Sequence, residues 1–215
     1  MGKLRFIITV IVLFATTVLF GQNRKLDFGL KGGLNYGKYI PNKSAIDYKY
    51  KFGFYAGAFY SIELDEKIKF QPELMFALQG SHMKVGELEI PNFDWEGNPI
   101  YNPNTYEFKY GIHELSILIP LMVKRYVWEN LYIGIGPQFG FIVDRNLNSS
   151  YQVLDGEDDS FIIRDGDTFN FGVNFGLGVD MAEKISINSR INYGLLKRDD
   201  DIKLLVFNLG IEYSL

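Results

Sequence analysis

Apolar and polar residues alternate with a period of two along most of this chain, and no other feature restricts its fold as strongly. In segment 169–181 every second residue is large and apolar, and the residues between them are Asn, Gly or Asp. Segment 131–143 repeats the pattern. Because successive side chains of a β-strand point to opposite faces, each segment predicts a strand with one apolar face and one small or polar face.

The same pattern predicts eight strands of 11 to 15 residues. They are 26–36, 53–64, 68–80, 113–127, 131–143, 169–181, 185–196 and 204–215. Three-residue turns at 65–67, 128–130 and 182–184 alternate with connections that are mostly much longer, at 37–52, 81–112, 144–168 and 197–203. Strands of this length, joined in this way, predict an all-β, eight-stranded, antiparallel up-and-down barrel.

A soluble barrel and an outer-membrane barrel differ in the direction of the apolar face. The second face of these strands is rich in Gly and Asn and carries few charges, which would make a poor water-exposed surface. We therefore expect the apolar face to contact lipid and the polar face to fill the lumen. Aromatic residues mark both ends of the predicted strands as girdles: Phe70, Tyr126, Trp128, Tyr132 and Tyr213 near the short turns, and Tyr36, Tyr110, Phe141, Phe169 and Tyr193 near the long loops.

The first 21 residues have the layout of a secretory signal peptide. Lys3 and Arg5 precede fifteen uncharged residues, 6–20, which is short for a membrane span of about 20. We predict a signal peptide over 1–21 and an outer-membrane β-barrel domain over 22–215; a retained N-terminal anchor is the alternative. The chain has no Cys, so thiol chemistry and disulfides are excluded, and its net charge of −4 argues against nucleic-acid binding.

The C-terminus matches the pattern polar-x-Gly-x-x-aromatic-x-hydrophobic, through Asn208, Gly210, Tyr213 and Leu215. This pattern resembles the signal that the outer-membrane assembly machinery recognises. An amphipathic last strand would share most of these residues. We expect outer-membrane lipid and this machinery to be partners of the chain.

Three short stretches carry a family resemblance: 71–80 (QPELMFALQG), 115–124 (LSILIPLMVK) and 134–137 (GIGP). They resemble the PorT-type outer-membrane β-barrel family of Bacteroidota, which are Gram-negative bacteria. The resemblance implies an eight-stranded barrel in the outer membrane and, for some members, a part in a secretion or gliding apparatus. It supplies no catalytic residues.

Inward-facing positions carry charges of both signs. Lys31, Glu73 and Arg190 fall near mid-strand and are predicted to form a polar cluster in the lumen. An eight-stranded barrel has an interior just wide enough for side chains, so a filled lumen is favoured over a narrow pore. Pro72 and Pro120 lie inside strands and predict bulges or breaks in pairing.

Residues with catalytic or metal-binding chemistry are few. His82 and His113 flank the 81–112 connection, and Ser81 and Glu114 lie beside them, so a rim-sited lipid hydrolase or a metal site is an alternative. The predicted strands point both histidines outward but Ser81 and Glu114 inward. The acidic run in 144–168 lacks the spacing of a Ca²⁺-binding loop and indicates a solvated surface. We predict no catalytic residues, cofactor or metal.

The 81–112 connection combines three prolines with exposed aromatic residues, which suggests a semi-rigid contact surface. The contact residues are predicted to be Phe93, Trp95, Tyr101 and Tyr106, which could instead pack together as a cap on the barrel. The sequence thus indicates a non-enzymatic envelope or secretion-assembly component that acts through its loops or barrel wall, with an envelope or secretion-complex protein as partner. A surface adhesion or ligand-binding barrel is the alternative, and a hydrolase or narrow pore is disfavoured.

Overall fold

The computed structural model describes residues 26–41, 47–93, 96–149, 160–162, 167–198 and 202–215. Ten strands form one antiparallel sheet. They are β1 (Leu26–Pro41), β2 (Asp47–Lys49), β3 (Lys51–Asp65), β4 (Ile68–Phe93), β5 (Pro99–Tyr126), β6 (Leu131–Ser149), β7 (Ser160–Ile162), β8 (Phe169–Ala182), β9 (Ile185–Gly194) and β10 (Ile202–Ser214). The predicted signal peptide lies outside the described residues.

Eight of these strands close into a barrel. The hydrogen-bonded order is β4-β3-β1-β10-β9-β8-β6-β5, and β5 also pairs with β4. The first and last barrel strands meet along thirteen residue pairs, from Gly29–Ser214 to Pro41–Ile202. The short strands β2 and β7 extend the sheet beside β4 and β6. This confirms the predicted eight-stranded antiparallel barrel, and closure leaves the eight strands without free edges along the wall.

The apolar face of the strands points outward, as predicted. Leu34, Phe175, Leu177 and Leu209 each leave more than half of their side-chain surface exposed. Such a wall is stable only against lipid, because a continuous apolar surface of this size is unfavourable in water. No helix in the described part of the chain is long and apolar enough to span a membrane.

The aromatic girdles differ from the prediction at two residues, Tyr126 and Tyr132, which pair directly across β5 and β6 on the lumen face with their rings 5.6 Å apart. Trp128 and Tyr213 are exposed near the short turns, and Tyr36 and Phe169 are exposed near the opposite end. Tyr132, however, is only 3% exposed and lies inside the barrel. It has the same strand parity as the lumen residues of β6, and parity, not its height near a turn, decides the direction of its ring.

The 81–112 connection is not a loop. β4 and β5 continue to pair through Phe93–Pro99, far beyond the neighbouring strands, and form a long β-hairpin. The other predicted strands agree with the observed ones to within a few residues, apart from β1 and β6. Both of these extend further at the end of the barrel opposite the short turns, which is called the outer end below. The predicted 81–112 loop was therefore wrong in its secondary structure.

Both in-strand prolines interrupt pairing without shifting register. The β4–β5 ladder passes from the Pro72–Leu121 pair to Met75–Leu118, and the β5–β6 ladder from Pro120–Gln138 to Val123–Ile135. The sum of paired residue numbers is the same on each side of each gap, so no residue is inserted. Of the two predicted alternatives, breaks in pairing are observed, as expected where proline removes a ladder donor.

Candidate functional site: the filled lumen and the outer rim

A network of buried charges crosses the middle of the barrel. Lys31 on β1 binds Glu73 on β4, with Nζ 3.0 Å from both carboxylate oxygens. Arg190 on β9 forms a two-pronged contact with the same carboxylate, at 2.9 and 2.7 Å. All three side chains are almost completely buried. The structure thus brings together the three residues that the sequence placed near mid-strand, and it links three strands through Glu73.

Two further charged residues complete this inner network, and sequence reasoning did not place them there. Glu212 on β10 accepts hydrogen bonds from Lys31 at 2.8 Å and from Lys124 on β5 at 2.6 Å. The Gln71 amide donates to both Glu73 and Glu212. Lys31 and Glu212 are direct partners across β1 and β10. Aligning the first strand with the last in the sequence would have revealed this pair of opposite charges. The inner network therefore joins five strands through three cations and two carboxylates.

Tyr132 covers the end of the inner network. Its hydroxyl lies 3.2 Å from Lys124 Nζ, and its ring is 4.3 Å from that amine. Gly178 is the direct partner of Tyr132 across β6 and β8, and the ring folds over the space where a side chain would be. This glycine is therefore required by the close approach of the ring.

We expect Gly178→Ala to destabilise the folded barrel by about 1–3 kcal/mol, because a Cβ at this position overlaps the Tyr132 ring and forces it off Lys124. Gly134→Ala is the matched control, since its nearest neighbour is the flexible end of Met122 at 3.2 Å. Denaturant unfolding in lipid vesicles measures both. Equal stability of the two variants would contradict the role assigned to Gly178.

Amide side chains fill the lumen beside the inner network. Asn192 donates to Asn174 at 3.1 Å, and Asn174 donates to Gln138 at 3.2 Å. Asn35 donates to the carbonyls of Phe54 and Leu78. The hydrogen bonds of this amide layer tie strands of the barrel together across the lumen.

A second charged group, the outer latch, lies near the outer end of the barrel and consists of Glu114, Arg145 and Arg198. Glu114 is completely buried, and its carboxylate accepts a hydrogen bond from Arg145 Nε at 2.8 Å. Arg198, from the connection between β9 and β10, binds both oxygens of the same carboxylate. Its guanidinium also lies 5.7 Å from the Tyr39 ring.

An apolar cluster occupies the same outer part of the lumen. It consists of Tyr39, Ile112, Ile202, Leu204 and Val206. Lys51 is buried near it and donates to the Ile112 carbonyl at 2.9 Å. The outer latch and the apolar cluster therefore close the outer half of the lumen, and sequence parity did not identify Arg198 because it lies in a predicted loop.

The residues considered for a hydrolase do not form a connected triad. Ser81 is buried, and its hydroxyl lies within hydrogen-bond distance of two carbonyl acceptors, Lys49 at 2.8 Å and His82 at 3.1 Å. The Glu114 carboxylate is paired with Arg145 and Arg198 in the outer latch. His82 and His113 lie outside the membrane-spanning part of the strands, and burial, followed by the positive charge of Lys51, lowers the pKa of both. Among the described residues, no group of three or more metal-ligating side chains comes together.

The other predicted site residues fall into two places. Phe93 is 61% exposed at the end of β4. Trp95 lies outside the described residues, and the structure describes only the backbone of Tyr101 and Tyr106, on β5. In the C-terminal pattern, Tyr213 and Leu215 are exposed on the outer wall, whereas Gly210 is buried and Asn208 is half-buried. The acidic run of 144–168 lies mostly outside the described residues.

A sequence comparison identifies the family. Residues 20–199 match the profile of the outer membrane protein beta-barrel domain. The chain belongs to this family. Membership agrees with the closed barrel and the lipid-facing wall, and it places this β-barrel in the outer membrane. No curated protein is a significant sequence match.

Solved structures of small outer-membrane barrels are similar to this chain. Neisserial surface protein A has 9% identity and a TM-score of 0.48, with 87% of this chain and 97% of that chain covered. OprG from Pseudomonas aeruginosa has 12% identity and a TM-score of 0.47, with 89% and 97% covered. Ail, the attachment invasion locus protein of Yersinia pestis, has 15% identity and a TM-score of 0.44, with 89% and 99% covered.

Proposed function

We propose that this outer-membrane β-barrel is a non-enzymatic envelope component that binds a partner protein through its β4–β5 hairpin. The observation that carries the proposal is the length of that hairpin. β4 has 26 residues and β5 has 28, whereas the other six barrel strands have 10 to 19. A membrane-crossing strand needs only about 9–11 residues.

The excess length projects from the outer end of the barrel. From Gly80 to Phe93 the hairpin rises on the order of 40 Å at about 3.3 Å per residue. Within the described residues, β2 pairs with β4 only at 82–84, and β6 pairs with β5 only as far out as Tyr110. The distal hairpin is thus a two-stranded ribbon, which is marginally stable in water and gains from a partner.

The filled lumen supports a surface function over a pore. The inner network, the amide layer, the apolar cluster and the outer latch follow one another along the barrel interior. A solute would have to break buried ion pairs to pass. The PorT-type resemblance, which implies participation in a secretion or gliding apparatus for some members, favours a protein partner within the envelope over an adhesion target outside it.

The proposal is tested by removing the hairpin and keeping the barrel. Lys84 and Lys109 are direct cross-strand partners, so an Asn-Gly turn can replace residues 85–108. We expect a tagged wild-type barrel, extracted in mild detergent, to retain a stoichiometric partner, and we expect the shortened barrel to lose it. Mass spectrometry measures the molar amount of each retained protein relative to the barrel.

Two further variants make the outcome specific. Replacement of Phe93, Trp95, Tyr101 and Tyr106 by Ser keeps the hairpin length but removes the predicted contact residues, and it is expected to weaken retention at least tenfold. Trp128→Ser, at the opposite end of the barrel, removes an exposed aromatic residue and is expected to leave retention unchanged. A wild-type barrel without a partner, or equal retention by the shortened barrel, would overturn the proposal.

A further inference from the structure

An aromatic patch lies on the outer wall where β1, β3 and β10 leave the membrane. Tyr36 stacks on Tyr50 with ring centroids 4.6 Å apart and also contacts Phe52 at 4.5 Å. Phe207 is 6.1 Å from Tyr50 and is the direct partner of Tyr36 across β1 and β10. Aromatic rings of this kind sit at the headgroup level of a membrane, so the patch marks the height of the lipid headgroups.

Two lysines on the same wall lie just beyond this patch. Lys38 Nζ is 4.8 Å from the centre of the Tyr50 ring, and Lys203 Nζ is 5.3 Å from the centre of the Tyr193 ring. A ring face attracts a cation and restricts where the amine can lie. Lys38 follows Tyr36 by two residues, which is about 6–7 Å along the strand toward the outside.

The register brings the two lysines together. Lys38 pairs with Leu205 across β1 and β10, and Ile40 pairs with Lys203. Lys38 and Lys203 are therefore diagonal neighbours on the same face, a relation in which backbone positions lie about 7–8 Å apart and long side chains can reach a common group. One phosphate, with several acceptor oxygens, can accept hydrogen bonds from both amines.

Neither amine has a carboxylate partner in the part of the chain that the structure describes. Other exposed or half-exposed lysines do: Lys49 lies 2.7 Å from Asp47, and Lys69 lies 3.5 Å from Glu63. Two like charges on neighbouring strands at the edge of a hydrocarbon layer repel each other, and an anion that contacts both reduces this cost.

We propose that Lys38 and Lys203 form a binding site for the phosphate group of an outer-leaflet lipid, with Tyr50 and Tyr193 holding the two amines in place. The lipid chain lies along the apolar wall below, and its headgroup phosphate reaches the two lysines above the aromatic patch. This site is independent of the β4–β5 hairpin and of the partner proposed for it.

The test uses the folded full-length barrel in mild detergent, with phosphorylated lipid A and the same lipid A after removal of its phosphates as the probes. Native mass spectrometry counts retained lipid. Because a lysine near an anionic surface contributes about 1 kcal/mol, two lysines predict a preference of about 30-fold for the phosphorylated form. Lys38→Gln with Lys203→Gln is expected to abolish that preference.

A matched double variant controls for charge. Lys67→Gln with Lys184→Gln removes two exposed lysines from the short turns at the opposite end, and it is expected to keep the preference. Heat-modifiable migration in a gel confirms that each variant is folded. Equal retention of the two lipids by the wild type, or the same loss of preference in both double variants, would overturn the proposal.

Discussion

Glu73→Gln is expected to destabilise the folded barrel by about 3–5 kcal/mol. The Glu73 carboxylate accepts hydrogen bonds from the Lys31 amine at 3.0 Å and from the Arg190 guanidinium at 2.7 and 2.9 Å, and all three side chains are buried. A neutral amide leaves the three buried cations of the inner network with a single remaining carboxylate, that of Glu212, which contacts Lys31 and Lys124. Removing one partner from a buried ion pair is costly because the remaining charge cannot recover its hydration.

Glu63→Gln is the control for this prediction. Glu63 and Lys69 also lie on neighbouring strands, 3.5 Å apart, but their side chains are 39% and 25% exposed. Loss of such a pair costs at most about 1 kcal/mol, because water screens both groups. Denaturant unfolding of both variants in the same lipid vesicles gives the comparison. If Glu73→Gln costs no more than Glu63→Gln, the inner network does not hold the barrel together.

Strand parity was sufficient to predict which side chains fill the lumen. It places Lys31, Glu73 and Arg190 on the inner face, and the structure buries all three. Parity does not give height along the barrel axis, because height also depends on strand tilt and on the stagger between neighbouring strands. For this reason Glu212 and Lys124 could be assigned to the lumen, but not to the network that contains Glu73.

The long hairpin could not be predicted because its sequence carries loop signals. Pro91 and Pro103 indicate a loop, since proline cannot donate to a β-ladder. In the structure, Ile90 pairs with Asn104 and Asn92 with Ile100, so both prolines fall within one irregularity of the ladder. Pairing therefore continues on both sides of the prolines, and a local break of this kind does not end the hairpin.

Glu114→Gln is expected to release the connection between β9 and β10 from the outer mouth of the barrel. Glu114 has no exposed surface and binds Arg145 and Arg198 together. Arg198 is the one of these residues that belongs to a connection rather than to a strand. An uncharged amide at position 114 leaves its buried guanidinium without the carboxylate, so the opening of this segment becomes easier while the strands stay paired.

The expected result is faster amide hydrogen exchange at Arg198 and Ile202. Their backbones are joined by two reciprocal hydrogen bonds of 2.9 and 3.1 Å, which break when the connection opens. If the charge-assisted contact contributes about 3 kcal/mol, exchange at both amides rises on the order of 100-fold. Nuclear magnetic resonance of the barrel in lipid nanodiscs measures these rates.

Asp144→Asn separates this effect from a general loss of charge at the outer rim. Asp144 lies next to Arg145 on β6, but its side chain is exposed and its partner is the Asn146 amide. We expect exchange at Arg198 and Ile202 to remain unchanged in this variant. If both variants accelerate exchange equally, or if Glu114→Gln leaves it unchanged, then the apolar cluster that contains Ile202 and Leu204 closes the mouth and the outer latch does not.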